Sequence, residues 1–212
     1  MSTEIEIKMK IPNRSTAQRI LADPQVAAHQ MGPAETLAMR SVYYDTPSHQ
    51  LMKWEWALRM RQEGTDSVVT LKTQQEPDAL PGLFVRKEWQ TQGENVYLAV
   101  EELVRLGAPQ ALRDVAASES FVERCQIQFQ RRKLVLKLAD GTRAEMAVDE
   151  GQILADGKQE PFLELELELI LGQAQYLLEW AAAWEIKYQL TRELASKYER
   201  ALRLIRSRPS RS

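Results

Sequence analysis

Carboxylates two residues apart are the first chemistry this sequence offers. Glu4-Ile5-Glu6-Ile7-Lys8-Met9-Lys10-Ile11 alternates strictly, so a strand there turns Ile5, Ile7 and Met9 to one side and Glu4, Glu6, Lys8 and Lys10 to the other. Leu163 to Leu171 repeats the pattern with Glu164, Glu166 and Glu168. Taken together, the polar faces of such runs supply oxygen from Glu4, Glu6, Glu88, Glu145, Asp149, Glu164, Glu166 and Glu168. They supply positive charge from Lys8, Arg59, Arg61, Lys72, Arg86, Arg131 and Lys133. Glutamates two apart on one strand sit roughly 7 Å from each other, within reach of a shared ion once a neighbouring strand adds a carboxylate. Like charges so close are costly unless a cation lies among them. Oxygen donors without a His and Cys cluster suit magnesium or manganese rather than zinc. Arg59 and Arg61 leave their strand in the same direction, and guanidinium groups bind phosphate oxygens bidentately. An acidic wall facing a basic one would hold a metal-loaded polyphosphate, the arrangement for phosphoryl transfer to water. The same alternation also describes solvated sheet faces laced by cross-strand salt bridges, and the way the strands close decides between the two.

The elements that must position these groups are legible as changes of period. Trp54 to Glu63, Ser67 to Thr73 and Arg143 to Asp149 share the strand alternation, with Arg59 and Arg61 opposite Leu58 and Met60, and Lys72 opposite Leu71. Glu63-Gly64-Thr65-Asp66 reads as a hairpin turn, and Asp140-Gly141 is a second hairpin signal. Further strands are expected over Glu35 to Asp45, Leu83 to Gln92, and Phe121 to Leu138, the last as one bent strand or a pair. Ser15 with Gln18 reads as a capping box for a short helix towards Leu21. A second short piece lies between Pro24 and Pro33, and a brief helix through Leu51 follows the turn Asp45-Thr46-Pro47-Ser48. Gln75 to Gly82 reads as a loop, and Gly151 and Gly157 as turns. Asn95 to Ala117 fits two helices broken near Gly107 and Pro109. After Gly172 a helix aligns Leu177, Trp180, Ala181 and Trp184. Thr191 is expected to cap a last helix striped by Leu194, Tyr198, Ala201 and Ile205, with residues 207–212 a polar tail. By that stripe alone Lys197 is a solvated lysine. His29 and His49 stand outside any motif and read as surface residues.

At 212 residues the chain suits one domain with a real core. Its net charge of −2 mixes many charges of both signs, so no global basic field draws it to a nucleic-acid polymer or an anionic membrane. No run approaches the roughly 18 apolar residues of a membrane span. The lone Cys125 forms no internal disulfide, and MSTEIEIK has no apolar signal core, so the expected compartment is the cytoplasm.

In chain order the motifs EIEIK (Glu4 to Lys8), YYDTP (Tyr43 to Pro47), LRMR (Leu58 to Arg61), TLK (Thr70 to Lys72), RKE (Arg86 to Glu88), FQR (Phe129 to Arg131), AVDEG (Ala147 to Gly151), ELELEL (Glu164 to Leu169) and SKY (Ser196 to Tyr198) resemble the CYTH domain. This family, also called the triphosphate tunnel metalloenzymes, includes bacterial inorganic triphosphatases, thiamine triphosphatases and class IV adenylate cyclases. The resemblance implies an α+β fold: an eight-stranded antiparallel closed β-barrel, a tunnel open at both ends with helices packed outside, over residues 1–206 as a single domain. It implies one or two Mg2+ or Mn2+ ions on Glu4, Glu6, Asp149, Glu164, Glu166 and Glu168. A triphosphate would be gripped by Lys8, Arg59, Arg61, Lys72, Arg131 and Lys197, with Arg86 and Lys133 alongside and Glu88 and Glu145 in support. Tyr43 and Lys72 match a pair that assists at the scissile phosphate in thiamine triphosphatase-like members. Phe84, apolar on the face of Arg86, is expected to mark the start of a tunnel end. The implied activity is metal-dependent hydrolysis of inorganic triphosphate to diphosphate and phosphate by water. Alternatives are thiamine or nucleoside triphosphate hydrolysis, cyclisation of ATP, or binding of polyphosphate or nucleotide without turnover. The expected partner is a small-molecule triphosphate, in a monomer or a homodimer. Longer bacterial members carry a second, helical, histidine-rich domain after the tunnel, and the motifs here cover the tunnel alone.

Overall fold

Strict alternation makes the strands, and the computed structural model describes residues 2–76, 83–138 and 141–206. Eight long strands, β1 (Ser2–Lys10), β2 (Gln30–Asp45), β3 (Ala57–Glu63), β4 (Asp66–Gln75), β5 (Phe84–Gln92), β6 (Val122–Lys137), β7 (Arg143–Ala155) and β8 (Lys158–Leu171), pair antiparallel in the order β5-β4-β3-β2-β6-β7-β8-β1. β1 then pairs back onto β5, with Glu4 opposite Arg86, while its other edge sets Lys8 opposite Glu166 on β8. The sheet closes on itself, so the polar faces turn inward rather than to water.

Outside the barrel the apolar faces are covered by helices. Ile7, Met9, Leu136, Met146, Leu165 and Leu167 pack with Ile20 of α1 (Arg14–Leu21), Val26 of α2 (Pro24–His29), and Leu177, Ala181 and Trp184 of α6 (Ala174–Tyr188). Leu58, Val69, Leu71 and Trp89 pack with α3 (Gln50–Lys53), α4 (Val96–Arg105) and α5 (Ala111–Ser118) through Leu51, Val100, Leu103 and Leu112. Each such buried side chain contributes about 1.5–3 kcal/mol of transfer free energy, which fixes the register and hence which residues face inward.

Several local expectations change. α1 is capped by Asn13, whose side chain accepts from the Thr16 N–H, so the box at Ser15 is not the cap. Of the two alternatives for Phe121 to Leu138, the single strand holds, as β6 (Val122–Lys137). β3 begins at Ala57, because Trp54 ends α3 and Glu55 adopts φ 59. Gly151 lies inside β7 rather than in a turn: a Cβ there would come within 2.1 Å of the Gln128 carbonyl oxygen and 2.4 Å of the Phe129 Cβ. Thr191 caps no helix. It pairs with Lys10 as part of a short strand, β9 (Thr191–Arg192), and α7 (Lys197–Arg206) starts later, with Ser196 and Glu199 exchanging hydrogen bonds as a capping box. Leu194 is accordingly outside the stripe and 71 % exposed. Residues 77–82 of the expected loop, Asp140 of the second hairpin and the tail 207–212 lie outside the described residues. No helix among the described residues is long and apolar enough to cross a membrane.

The barrel is not open at both ends. Tyr198 and Ala201 of α7 pack against Tyr43, Cys125, Ile127, Ile153 and Phe162, all on inward-facing positions of their strands. One end of the interior is therefore an apolar plug, and the charged groups occupy the remainder.

Candidate active site

The inward-facing charges enclose a cavity of about 520 Å³, within the size range of small-molecule sites. Its lining includes Glu4, Glu6 and Lys8 from β1, Tyr43 from β2, Arg59 and Arg61 from β3, Lys72 from β4, Arg86 and Glu88 from β5, Arg131 and Lys133 from β6, Glu145 from β7, Glu166 and Glu168 from β8, and Lys197 from α7. Of the charged site residues singled out in the sequence, Asp149 and Glu164 alone stand behind this lining, at 0 % and 1 % exposure. Lys197 is no solvated lysine: it is buried, and its ammonium lies 3.0 Å from Asp149, 2.9 Å from Glu164 and 2.6 Å from Glu166. Neither His29 nor His49 reaches the cavity.

Two regimes of charge meet here. On the α7 side, every carboxylate has its cation. Arg131 donates two hydrogen bonds to Asp149, at 2.8 and 2.7 Å, and a third to Glu166. Arg200, one turn along α7 from Lys197, holds Glu164 and, at 2.7 Å, Glu160. Burial alone pushes the Glu166 carboxyl up, but Lys197, Arg131 and Lys8 hold it well below the usual carboxylate range. Burial likewise pushes Lys197 down, and Glu164, Glu166 and Asp149 hold it well above the ordinary lysine value.

On β1 and one inward position further along β8 the balance fails. Lys8 lies 2.9 Å from Glu6, Arg86 3.3 Å from the same carboxylate, and Lys72 pairs with Glu4 and with Glu88 at 3.1 Å. Glu168 has no such cation among the described residues, and its burial together with the charges of Glu4 and Glu6 pushes its carboxyl up to about 8. A second oxygen of Glu4 is buried without a hydrogen-bond partner. Arg59 has the opposite deficiency. It makes no ion pair among the described residues, its Nε lacks a partner, and its Nη2 reaches Thr70 Oγ1 only at 3.5 Å. Burial and then the charge of Arg59 pull the Arg61 guanidinium below its ordinary value. Glu168, short of positive charge, thus faces Arg59, whose charge Tyr43, Glu88 and Glu4 support without a close ion pair. Buried groups of this kind cost free energy unless a ligand completes them.

The donor set fits a hard divalent cation at Glu4, Glu6 and Glu168, by the unpartnered Glu4 oxygen and the crowding that raises Glu168. These oxygens do not converge as a ready-made cage, and no group of three acidic, His or Cys ligands is closed around a point among the described residues. Asp149, Glu164 and Glu166, expected as further ligands, are engaged instead by Arg131, Lys197 and Arg200. Tyr43 stacks on Tyr198 at 4.7 Å between centroids, and its hydroxyl helps hold the Arg59 charge. Phe84 lies under Lys8 and Arg86 at 4.9 and 5.2 Å and lines an adjoining pocket rather than the cavity itself. Sequence reasoning missed Glu63, Gln90 and Gln92 in the lining, and Arg200 behind it. The signal was present: Glu63 continues the alternation of Arg59 and Arg61, and Arg200 follows Lys197 by one helical turn.

Comparison with known proteins agrees with this geometry. The model of the CYTH domain matches residues 2–202. A curated inorganic triphosphatase from Haemophilus influenzae is 28 % identical over 204 residues, which cover 94 % of this chain and 54 % of that protein, so the chain spans about half its relative's length. Among solved structures, a Hippeastrum protein described as having a dominant triphosphatase activity superposes with a TM-score of 0.65 at 18 % identity, covering 95 % of this chain and 96 % of the other. A Pyrococcus horikoshii protein gives 0.56 at 19 % identity, covering 95 % and 99 %. At those identities the structures speak to the fold alone. A closed barrel whose inner wall carries the EIEIK, LRMR and ELELEL side chains, together with a family match over nearly its whole length, places this chain in the CYTH family.

Proposed function

We propose that the protein hydrolyses the terminal phosphoanhydride of inorganic triphosphate, releasing diphosphate and phosphate, with Mg2+ or Mn2+. The observation that carries this reading is Arg59: a half-buried side chain with no ion pair among the described residues, facing a cavity whose opposite wall holds the crowded carboxylates Glu4, Glu6 and Glu168. A polyphosphate bearing a divalent cation completes both walls at once. The cation, held by Glu4, Glu6 and Glu168, would supply Lewis acidity at the phosphate oxygens and at water. Arg59 and Arg61 bind oxygens of the reacting phosphate and stabilise the charge that gathers there in the transition state. Arg131, Lys8 and Lys197 hold the remaining phosphates, and Lys72 and Tyr43 lie at the cavity wall beside Arg59, where they orient the scissile end. Ser41 and Ser196 line the cavity with no His or Cys in the lining to pair with them, so water is the nucleophile of this reading. The curated relative, an inorganic triphosphatase, supports the same substrate.

The test is phosphate release from tripolyphosphate with Mg2+ or Mn2+, with and without chelator. Turnover abolished by chelator and restored by metal is the expected result. Turnover indifferent to chelator overturns the metal-dependent reading, and tight binding without turnover makes the protein a polyphosphate-binding module. A second reading has its own observation. Beside the main cavity, sharing Ala57, Arg86, Ser196 and Tyr198 with it, lies a pocket of about 480 Å³ lined by Met52, Trp56, Leu83, Phe84 and Leu202. These apolar and aromatic side chains, set among Gln74, Gln75, Glu199 and Arg206, suit the organic end of a triphosphate ester, so thiamine triphosphate and ATP belong in the same assay. Faster turnover of either moves the assignment to that substrate.

A further inference from the structure

We propose that Glu63, with Glu35 beside the same mouth, sets the length of phosphate chain the cavity accepts by repelling a fourth phosphate; this rests on the triphosphatase reading above. Glu63 is the third inward residue of β3 after Arg59 and Arg61, and it is ion-paired with Arg61. Its position is away from the α7 plug, in register with Met39 on β2 and Asp66 on β4. Exposure follows the same direction: the side chains of Glu4 and Glu6 are 7 % and 4 % exposed, that of Glu63 25 %, and that of Glu35 61 %. Lys133, the outermost cation on β6, is likewise matched by carboxylates, Glu145 at 3.3 Å and Glu35 at 3.9 Å.

A chain seated on Arg59 and longer than three phosphates extends along the barrel axis towards the mouth. The other end is filled by Tyr43, Ile127, Phe162 and the plug residues of α7, and in the pocket beside it the cations Arg86 and Arg206 stand among the carboxylates Glu55 and Glu199 and apolar side chains. Towards the mouth, Arg61 and Lys133 are shared with carboxylates, and once a triphosphate draws Arg61 away from Glu63 the groups next met are the freed Glu63, Glu35 and the uncharged Gln92, Val68 and Leu37. Two like charges near a protein surface at about 4 Å repel by roughly 4 kcal/mol before screening, so one carboxylate at the mouth is enough to discriminate a tetraphosphate from a triphosphate by tenfold or more. Glu63 is thus a specificity residue that acts by exclusion.

The experiment compares kcat/KM for linear tripolyphosphate and tetrapolyphosphate in the full chain and in Glu63→Gln and Glu35→Gln, with Mg2+ present. The wild type should prefer tripolyphosphate. In Glu63→Gln the ratio of tetra- to tripolyphosphate should rise about tenfold, and in the better solvated Glu35→Gln about twofold. If Glu63→Gln melts abnormally, raising ionic strength on the wild type should compress the same ratio. A folded Glu63→Gln with an unchanged ratio, a wild type that prefers the longer chain, or a preference insensitive to salt each overturns the proposal. A wild type that turns over neither substrate instead removes the triphosphatase reading on which it rests.

Discussion

The two sides of one cavity differ in a way their composition does not reveal. Around α7, Asp149, Glu164 and Glu166 meet Arg131, Lys197 and Arg200 with every carboxylate paired. One inward position further along β8, Glu168 sits among Glu4 and Glu6, and on β3 Arg59 has no ionic partner among the described residues. Both sides use the same residue types on alternate strand positions. The first spends its charges on itself and holds α7 to the barrel. The second leaves charges of each sign uncompensated and is built to be completed by something else.

The contrast is broken most forcibly on the paired side. Asp149→Asn removes a carboxylate that takes hydrogen bonds from Arg131 and Lys197, leaving buried cations short of a partner. Unfolding in urea should show a loss of about 3–5 kcal/mol. On the open side the order reverses. Arg59→Ala should lower kcat/KM for tripolyphosphate by about 10²–10³, while the urea midpoint moves far less than in Asp149→Asn, because Tyr43, Glu88 and Glu4 support the Arg59 charge without a close ion pair. If Arg59→Ala instead destabilises as much as Asp149→Asn, the two sides are alike and the comparison fails. Glu168→Gln sharpens it: relief of like-charge crowding should stabilise the metal-free protein by about 1 kcal/mol, while the rise in melting temperature on adding Mg2+ shrinks.

How far the strands and the site could be read from residues alone follows the same division. Inward and outward faces were legible wherever a strand alternates, because a register slip would expose Leu165 and Leu167 and bury their glutamate neighbours against the helices. Closure into a barrel came through the family's motifs, since alternation alone allowed a solvated sheet. Illegible was the fate of α7. Its stripe counts Tyr198 and Ala201 as helix-on-sheet packing, yet they enter the barrel, and Lys197 follows them into the charged region. Periodicity states which side of a helix is apolar and is silent on what that side meets. Pairing was equally hidden: Glu164 and Glu168 look equivalent in ELELEL, and Arg200 separates their roles from a helix far along the chain.

A reference point lies outside the barrel, and it gives the smallest expected effect. Asp23, at the start of α2, accepts hydrogen bonds from Lys187 at 2.7 Å, from the Tyr188 hydroxyl, and from the Gln25 N–H at 2.8 Å. Burial pushes its carboxyl up, and these donors outweigh that and bring it below 3.8. A carboxyl lowered on folding adds stability above its unfolded value and loses it as pH falls through the folded one. Asp23→Asn should therefore cost about 1 kcal/mol near neutral pH and progressively less in acid. A cost that is flat across that range would assign the effect to packing rather than to charge.

Cys125 is the chain's single thiol, and it lies against the plug that closes the apolar end. Burial pushes it up to about 12, so it is a neutral, shielded sulfur while α7 stays seated. Alkylation under native conditions would then proceed only as often as that helix lifts away, which makes the unmodified protein its own clock for breathing at that end. Tripolyphosphate, by engaging Lys197 on the same helix, should slow the clock.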